Sequence, residues 1–286
     1  MRCNKSIHGL WIGSKLSSIE LLCINSFIAK GHKFHLWVYE SLENILPEGL
    51  VLEDASKIIP KEEVFYYKNS NQYGHGKGSF AGFSDIFRYK LLHMYGGWWS
   101  DMDVICLKEL DFEQEYVFRT HHSFAVVGNI MKCPKNSPLM KKCFEDAKNS
   151  VDGDNVDWDL PIKILNDNIA YFRLQKYIQD ISNEDSWLVV RKYLLRNKKP
   201  NNKWFVMHLL NEEWRKNRIN KEAIPPFSFV GKKLKKYNLD SHNGFWQVIK
   251  NLYRIIIPAL NPKQTIWFLQ RKFWQFVRIF KPKKSA

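Results

Sequence analysis

Long apolar runs are missing from this chain of 286 residues, and the best candidate, Ile255-Ile256-Ile257-Pro258-Ala259-Leu260, is only six residues long. A bilayer-crossing helix needs ~20, so a helical membrane span is excluded. Cysteine is scarce and unpatterned. The five present (Cys3, Cys23, Cys106, Cys133, Cys143) are odd in number and include no C-x-x-C pair or zinc-finger spacing. Reduced thiols in a cytosol are therefore expected rather than a disulfide framework or a zinc module. The stretch from Met1 to His8 has no continuous apolar segment of the kind a secretory signal requires, so export is not expected. A phosphate-cradling P-loop is also missing: Gly74-His75-Gly76-Lys77-Gly78 has neither its spacing nor its trailing Lys-Ser/Thr. The polar segment 57–78 that those glycines close reads as a mobile loop. No internal repeat is visible.

Acid is absent from one whole region. After Asp240 no Asp or Glu occurs, whereas nine of the 44 Lys and Arg residues fall in those last 46 positions. The formal net charge is +15, and removing those nine leaves +6 on the first 240 residues, an ordinary value for a soluble domain. A hydrophobic content of 45% is enough to bury a full core, so one large domain or two small ones are expected and a disordered polymer is excluded.

Along the chain, Ile7-His8-Gly9-Leu10-Trp11-Ile12-Gly13 reads as a short strand and Leu16 to Ala29 as a helix closed by Gly31. Phe34 to Tyr39 gives a second strand, so the first forty residues predict a β-α-β unit with a parallel sheet, and an α/β fold overall. From Phe80 to Tyr95 apolar residues recur at helical spacing, with Gly96-Gly97 as the stop. Trp98-Trp99-Ser100 then begins a strand. The second half predicts strands within 117–131, helices over Ser137 to Ala147 and Asp167 to Tyr177, and a late strand Trp204 to His208 running into Asn211 to Trp214.

Two features carry chemistry. Asp85 and Arg88 lie three apart on one helix face, so they can reach the same ligand. Asp101-Met102-Asp103 presents two hard carboxylates where a strand leaves a sheet, a position typical of ligand sites in open α/β folds. Such a pair can hold Mg²⁺ or Mn²⁺ and so neutralise a diphosphate, or it can be a solvated turn.

The stretch Ser84-Asp85-Ile86-Phe87-Arg88-Tyr89, with Leu92, Gly96-Gly97, Trp99, Asp101 and Asp103, resembles the donor-sugar region of the DXD-containing glycosyltransferases of family 32. That family includes capsular and lipopolysaccharide transferases and is related to the glucosyltransferase domains of large clostridial toxins. Three spacings coincide: Asp to Arg three apart, Asp85 to Asp101 sixteen apart, and an aromatic two residues before Asp101. The resemblance extends thinly to Ile7 through Gly13 and to Phe205 through Trp214. It implies a GT-A, Rossmann-like domain binding a nucleotide-diphosphate sugar. Trp11 would stack on the base, Asp85 and Arg88 would grip sugar hydroxyls, Asp101 would contact ribose or sugar and help to hold the metal, and Asp103 would ligate it directly. Trp99 stands where Tyr is commoner and joins the donor-binding set; Leu160-Pro161 stands where many relatives have Gly-Pro, a departure on the acceptor side. The family's reaction retains anomeric configuration, with no dedicated base. His208 has two open readings, a further metal ligand or a hydrogen-bonded strand histidine. Asp152 to Asp159 reads as an acidic surface loop, and His121-His122 as a strand end.

The expected organisation is a transferase domain over 1–240, with a donor and metal half (1–110) and an acceptor half (111–240), followed by a basic aromatic tail over 241–286. In that tail Trp246, Ile249, Tyr253 and Ile256 share a helical face, as do Ile266, Leu269, Phe273, Val277 and Phe280; Pro258 and Pro262 separate the two helices. Aromatic faces opposed by Lys and Arg suit an anionic membrane surface. Packing on the core and nucleic-acid binding are the other readings, and no nucleic-acid motif accompanies the pattern. The function expected is a cytoplasmic hexosyltransferase, peripheral on the inner face of the membrane, that takes a UDP-hexose or similar donor and extends a lipid-linked surface glycan. A toxin-like transferase acting on protein and a non-catalytic membrane or nucleic-acid adaptor are the alternatives.

Overall fold

The computed structural model describes residues 5–71, 74–240 and 244–256. The chain opens with β1 (Ser6–Trp11), α1 (Ser18–Ile28), β2 (Lys33–Val38) and β3 (Val51–Asp54), then α2 (Ala81–Tyr95), β4 (Gly97–Ser100) and β5 (Val104–Cys106). It continues through β6 (Val117–Thr120), β7 (Val126–Cys133), α3 (Pro138–Ser150), α4 (Leu160–Tyr171), β8 (Ile178–Gln179) and α5 (Trp187–Leu195). The last elements are β9 (Val206–His208), α6 (Asn211–Lys216), α7 (Phe229–Lys236) and α8 (Phe245–Ile256).

Seven strands form one sheet in the order β3-β2-β1-β4-β7-β6-β8. The run β3-β2-β1-β4 is parallel, β7 is antiparallel to both β4 and β6, and β8 is parallel to β6. The predicted β-α-β unit and α/β class are observed. Parallel neighbours need a crossover, and α1 supplies it, started by a capping box between Ser17 and Glu20. Strand side chains alternate between two cores. Leu10, Trp37, Trp99 and Met131 pack with α2, α3 and α4 on one face; Ile7, Phe34, Trp98 and Ile130 pack with α1 on the other. Helix α1 is apolar nearly all round because its second side, through Ile19 and Leu22, faces a third cluster built from α5, α7, β9 and Ile255 of α8. Cys23, Cys106, Cys133 and Cys143 are buried free thiols.

Helix α2 stops where Gly96 and Gly97 take φ of 69° and 88°. A Cβ at Gly96 would collide with the backbone of Lys135, so this turn accepts no other residue without displacement. It delivers β4 directly beside β1, with Ile7 opposite Trp98.

Two expectations are corrected. The helix expected over Asp167 to Tyr177 is α4, Leu160–Tyr171, shifted toward the N-terminus. Pro161 suits a first helical turn, and Arg173, in the left-handed region at φ 56°, ends the run. The segment 57–78 is not a free loop: Lys68 N–H donates to Gly153 O (2.7 Å), Asn155 Nδ2 to Asn69 O and His75 O (2.9 and 3.0 Å), and Gly76 N–H to Glu212 (2.9 Å). Of the predicted tail, the first helix is observed as α8, and the second, over 266–280, lies outside the described residues. Among the described residues no helix is long and apolar enough to cross a membrane.

His8, in the centre of β1, accepts a hydrogen bond at Nδ1 from Trp37 Nε1 (3.2 Å). Burial, reinforced by neighbouring His35, lowers its pKa to about 3. The folded state therefore refuses a proton that the unfolded chain takes below its ordinary 6.5. Stability from this residue is complete above that value and is lost as pH falls toward 3, at ~1.4 kcal/mol per pH unit. His8→Gln, which keeps an acceptor for Trp37, is expected to flatten the acid limb by one proton; urea unfolding midpoints from neutral to acid pH measure it.

Candidate functional site

The site forms where the parallel strands end. Trp11 closes β1, and Asp101 follows β4 directly, so both stand at the carboxyl edge of adjacent strands. Asp101 N–H donates to Asn129 O of β7 (2.8 Å), the last sheet bond before the chain turns away. The turn is closed by Val104 N–H to Asp101 O (3.3 Å) and leads into β5, which pairs antiparallel with β9 in a separate two-stranded sheet. In that register Val104 faces His208, and so the late strand reaches the Asp101-Met102-Asp103 turn.

Helix α2 contributes Asp85 and Arg88 from one face, as expected. Arg88 is buried and bridges Asp85 Oδ1 (3.1 Å) and Asp101 Oδ1 (2.9 Å), with its guanidinium 5.2 Å above the Trp99 ring. Trp99 Nε1 donates to the same Asp101 oxygen (2.7 Å), so Trp99 acts through Asp101. Gly128 on β7 leaves the space for Arg88, since a Cβ there would strike Nη1. Burial pushes the Asp85 carboxyl up to about 6, with Arg88 opposing and Asp101 reinforcing the rise. Burial likewise raises Asp101, against the pull of Arg88 and with repulsion from Asp103.

Asp103 belongs to a second network. Its Oδ2 accepts from Asn211 N–H (2.7 Å) and lies 3.2 Å from His208 Nε2. His208 Nδ1 is 2.8 Å from Asp185 Oδ1, and Asp185 receives both terminal nitrogens of buried Arg119, each at 2.7 Å. Asn183 holds the His208 backbone at both N–H (2.8 Å) and O (3.0 Å). Burial disfavours a charged imidazole, but Asp103 and Asp185 outweigh it and raise His208 to about 10. Asp103 and Asp185 are held below the carboxylate range in return, burial being outweighed by His208 in both and by Arg119 at Asp185. Leu210 precedes Asn211 at φ 62°, ψ 60°, a left-handed conformation uncommon for a branched side chain. That strain aims the Asn211 N–H at Asp103.

Asp85, Arg88, Trp99, Asp101, Asp103, Asp185, His208 and Asn211 line a cavity of about 710 Å³ that Trp11 also lines. Eight carboxylates line it against three Lys or Arg side chains, in a protein of net charge +15. The residues fit a divalent cation. Asn211 Oδ1 is a buried acceptor with no partner, beside Asp103. The 3.2 Å between Asp103 Oδ2 and His208 Nε2 matches the ~3.0 Å edge of two ligands at ~2.1 Å on an octahedral ion. Asp185 behind His208 supplies the carboxylate that ligating histidines commonly lean on. His208 thus has the partners of its hydrogen-bonded reading and the spacing of its ligand reading. Among the described residues no three His, Cys, Asp or Glu side chains form a ready cage. Mg²⁺-type sites commonly complete their shell with substrate phosphates.

Residues 24–120, 97 of the 286, match the family described as a glycosyltransferase sugar-binding region containing a DXD motif. The enzyme class is glycosyltransferase, as expected, and the matched span holds Asp85, Arg88, Asp101 and Asp103 but not Trp11, Asp185 or His208. Of solved structures, the PaToxG glycosyltransferase is 15% identical, with a TM-score of 0.41 over 59% of this chain and 69% of its own. A transferase with two cysteine-to-serine substitutions is 12% identical, with a TM-score of 0.38 over 60% of this chain and 86% of its own. No curated protein matches the chain.

Sequence reasoning missed Arg119, Asp185 and Asn211. Asn211 follows His208 at i+3, a spacing that could have flagged it; Asp185 sits in Ser182-Asn183-Glu184-Asp185 with no motif around it. Two discounted segments also reach the cavity: Trp158 of the acidic loop, packed on Tyr67 and His75, and His121 after β6, 3.6 Å from Asp185. Asp185→Asn is expected to destabilise the fold by about 3 kcal/mol, because it leaves the Arg119 guanidinium buried without its carboxylate. Urea denaturation at neutral pH, compared with the unsubstituted protein, measures the loss.

Proposed function

We propose that this glycosyltransferase is a cation-dependent hexosyltransferase that uses a nucleotide-diphosphate sugar, with UDP-hexose the donor class. The observation that carries the reading is the acid-lined cavity. A diphosphate brings further negative charge into a pocket whose carboxylates outnumber its Lys and Arg eight to three, so a cation has to accompany it. Asp103, Asp101 and His208, the last giving up its proton to do so, joined by Asn211 Oδ1, are the groups that would hold Mn²⁺ or Mg²⁺. Bound there, such an ion offsets charge on the departing diphosphate.

The chain's own side chains do the rest. Trp11 offers an indole face to the base at the end of β1. Arg88, fixed by Asp85, Asp101 and the Trp99 ring, presents a preorganised guanidinium edge to sugar hydroxyl or phosphate oxygens. Asp85 accepts from a sugar hydroxyl, and Asp101 from sugar or ribose. Transfer proceeds with retention, the leaving phosphate taking the acceptor proton, so no base is assigned. The acceptor is a growing lipid-linked glycan of capsule or lipopolysaccharide type. The tail from 245 keeps the enzyme on the inner face of the membrane, a reading supported by α8, whose Trp246 and Tyr253 are 79% and 64% exposed. A transferase acting on protein is the rival, and labelled donor offered to lipid extract and to protein extract separates the two.

Asp103→Ala is expected to lower Mn²⁺-dependent hydrolysis of UDP-hexose by ~100-fold or more, the several kcal/mol a bound cation supplies. The fold is checked by circular dichroism. Full activity in that variant would overturn the reading.

A further inference from the structure

The cationic surface is wider than the tail. From Ser186 to Asn211 the chain carries six Lys or Arg and no acid, from Ala223 to Leu239 four and none, and from Gly244 to Ile256 two and none. Folding gathers these stretches. Helix α5 packs against both α7 and α8, Phe229 N–H donates to Arg196 O (3.0 Å), and Val190, Leu194, Val230, Leu234 and Ile255 share one buried cluster. Nine of the twelve cations are exposed, among them Lys192, Arg196, Lys232, Lys235 and Lys236.

Helix α8 is held by few side chains. Asn251 accepts from Asn220 N–H (2.8 Å) and donates to Asn220 O (2.9 Å) and Ala223 O (2.8 Å), and Ile255 is fully buried. Its other side presents Phe245, Trp246, Ile249, Tyr253 and Ile256 to solvent. A contiguous exposed face of that kind marks an interaction site. The segment that holds α8 is also part of the cavity wall. Ser18 Oγ donates to Lys221 O (2.8 Å), and Lys221 pairs with Glu20, both of which line the cavity.

We propose that α5, α7 and α8 together form a docking face for an anionic lipid bilayer, α8 entering the interface by its aromatic side while the cations of α5 and α7 meet headgroup charge. This rests on the membrane reading of the tail and extends it to the folded body. Because one segment joins α8 to the cavity wall, docking brings that wall to the bilayer, where a lipid-linked acceptor is presented. The aliphatic Ile249 and Ile256 among the exposed aromatics favour hydrocarbon over stacked bases as the occupant.

The test is flotation of the full chain with phosphatidylcholine vesicles with and without phosphatidylglycerol, and with DNA as competitor. One variant combines Lys232→Glu, Lys235→Glu and Lys236→Glu; a second combines Arg271→Glu, Lys272→Glu and Arg278→Glu in the tail. The α7 variant is expected to bind anionic vesicles ~10-fold or more weakly, with unchanged melting temperature and UDP-hexose hydrolysis in solution. If it binds undiminished while the tail variant does not bind, the tail reading stands and the three-helix face is wrong. If the unsubstituted protein ignores anionic vesicles, both readings fall. If DNA strips it from vesicles and is retained more tightly, the occupant is nucleic acid and the proposal is overturned.

Discussion

Asp103 is gripped by one distant segment of the chain, residues 208–211, and the rest of the site is arranged around that grip. Its backbone O accepts from Leu209 N–H (2.9 Å), and its carboxylate meets Asn211 N–H and His208. The pairing of β5 with β9 makes this possible, since Val104 opposite His208 sets Asp103 beside the residues that follow β9. A charge so deeply buried is costly without partners, and here each partner has one of its own: His208 leans on Asp185, and Asp185 on Arg119. Such a chain resists rearrangement because removing any link strands a neighbour. The strained Leu210 belongs to the same arrangement, a local cost carried by the network it completes.

The second carboxylate lives differently. Asp101 is fixed at one oxygen by Arg88 and Trp99, two residues set by α2 and β4 on one side of the sheet, while Asp103 is set from the other side through α1's neighbours. A turn three residues long therefore spans the join between both halves of the fold. That placement gives a ligand access to both networks at once. It also explains why the polar cavity can lie so close to dense aromatic packing: Trp98 and Trp99 point to opposite cores and anchor the strand from which the turn emerges.

Charge is partitioned by location. The cavity is rich in acid, whereas the α5, α7 and α8 stretches contain none, so a net charge of +15 describes neither surface. On the proposed function this separation has a purpose: a cation-borne diphosphate is drawn to the cavity and lipid headgroups to the helices, with little competition between them.

Much of this was written in the sequence. Local signals carried the β-α-β opening, the glycine stop after α2, the Asp85-Arg88 face and the Asp101-Met102-Asp103 turn, because each depends on residues within a few positions of one another. The amphipathic face of α8 was equally legible, being a matter of helical spacing. Helix α4 was displaced because Pro161 and the left-handed Arg173 reset its ends, and the loop over 57–78 was misjudged because its bonds go to residues 153, 155 and 212. Only the tertiary structure could join Arg119 and Asp185 to His208 and Asp103, and aim the Asn211 N–H at Asp103, since strand register and a left-handed Leu210 have no signature in spacing or composition. It also decided that Asn251 and Ile255, not the aromatic residues of α8, face the core, because the polar backbone of residues 220–223 lay there to be bonded.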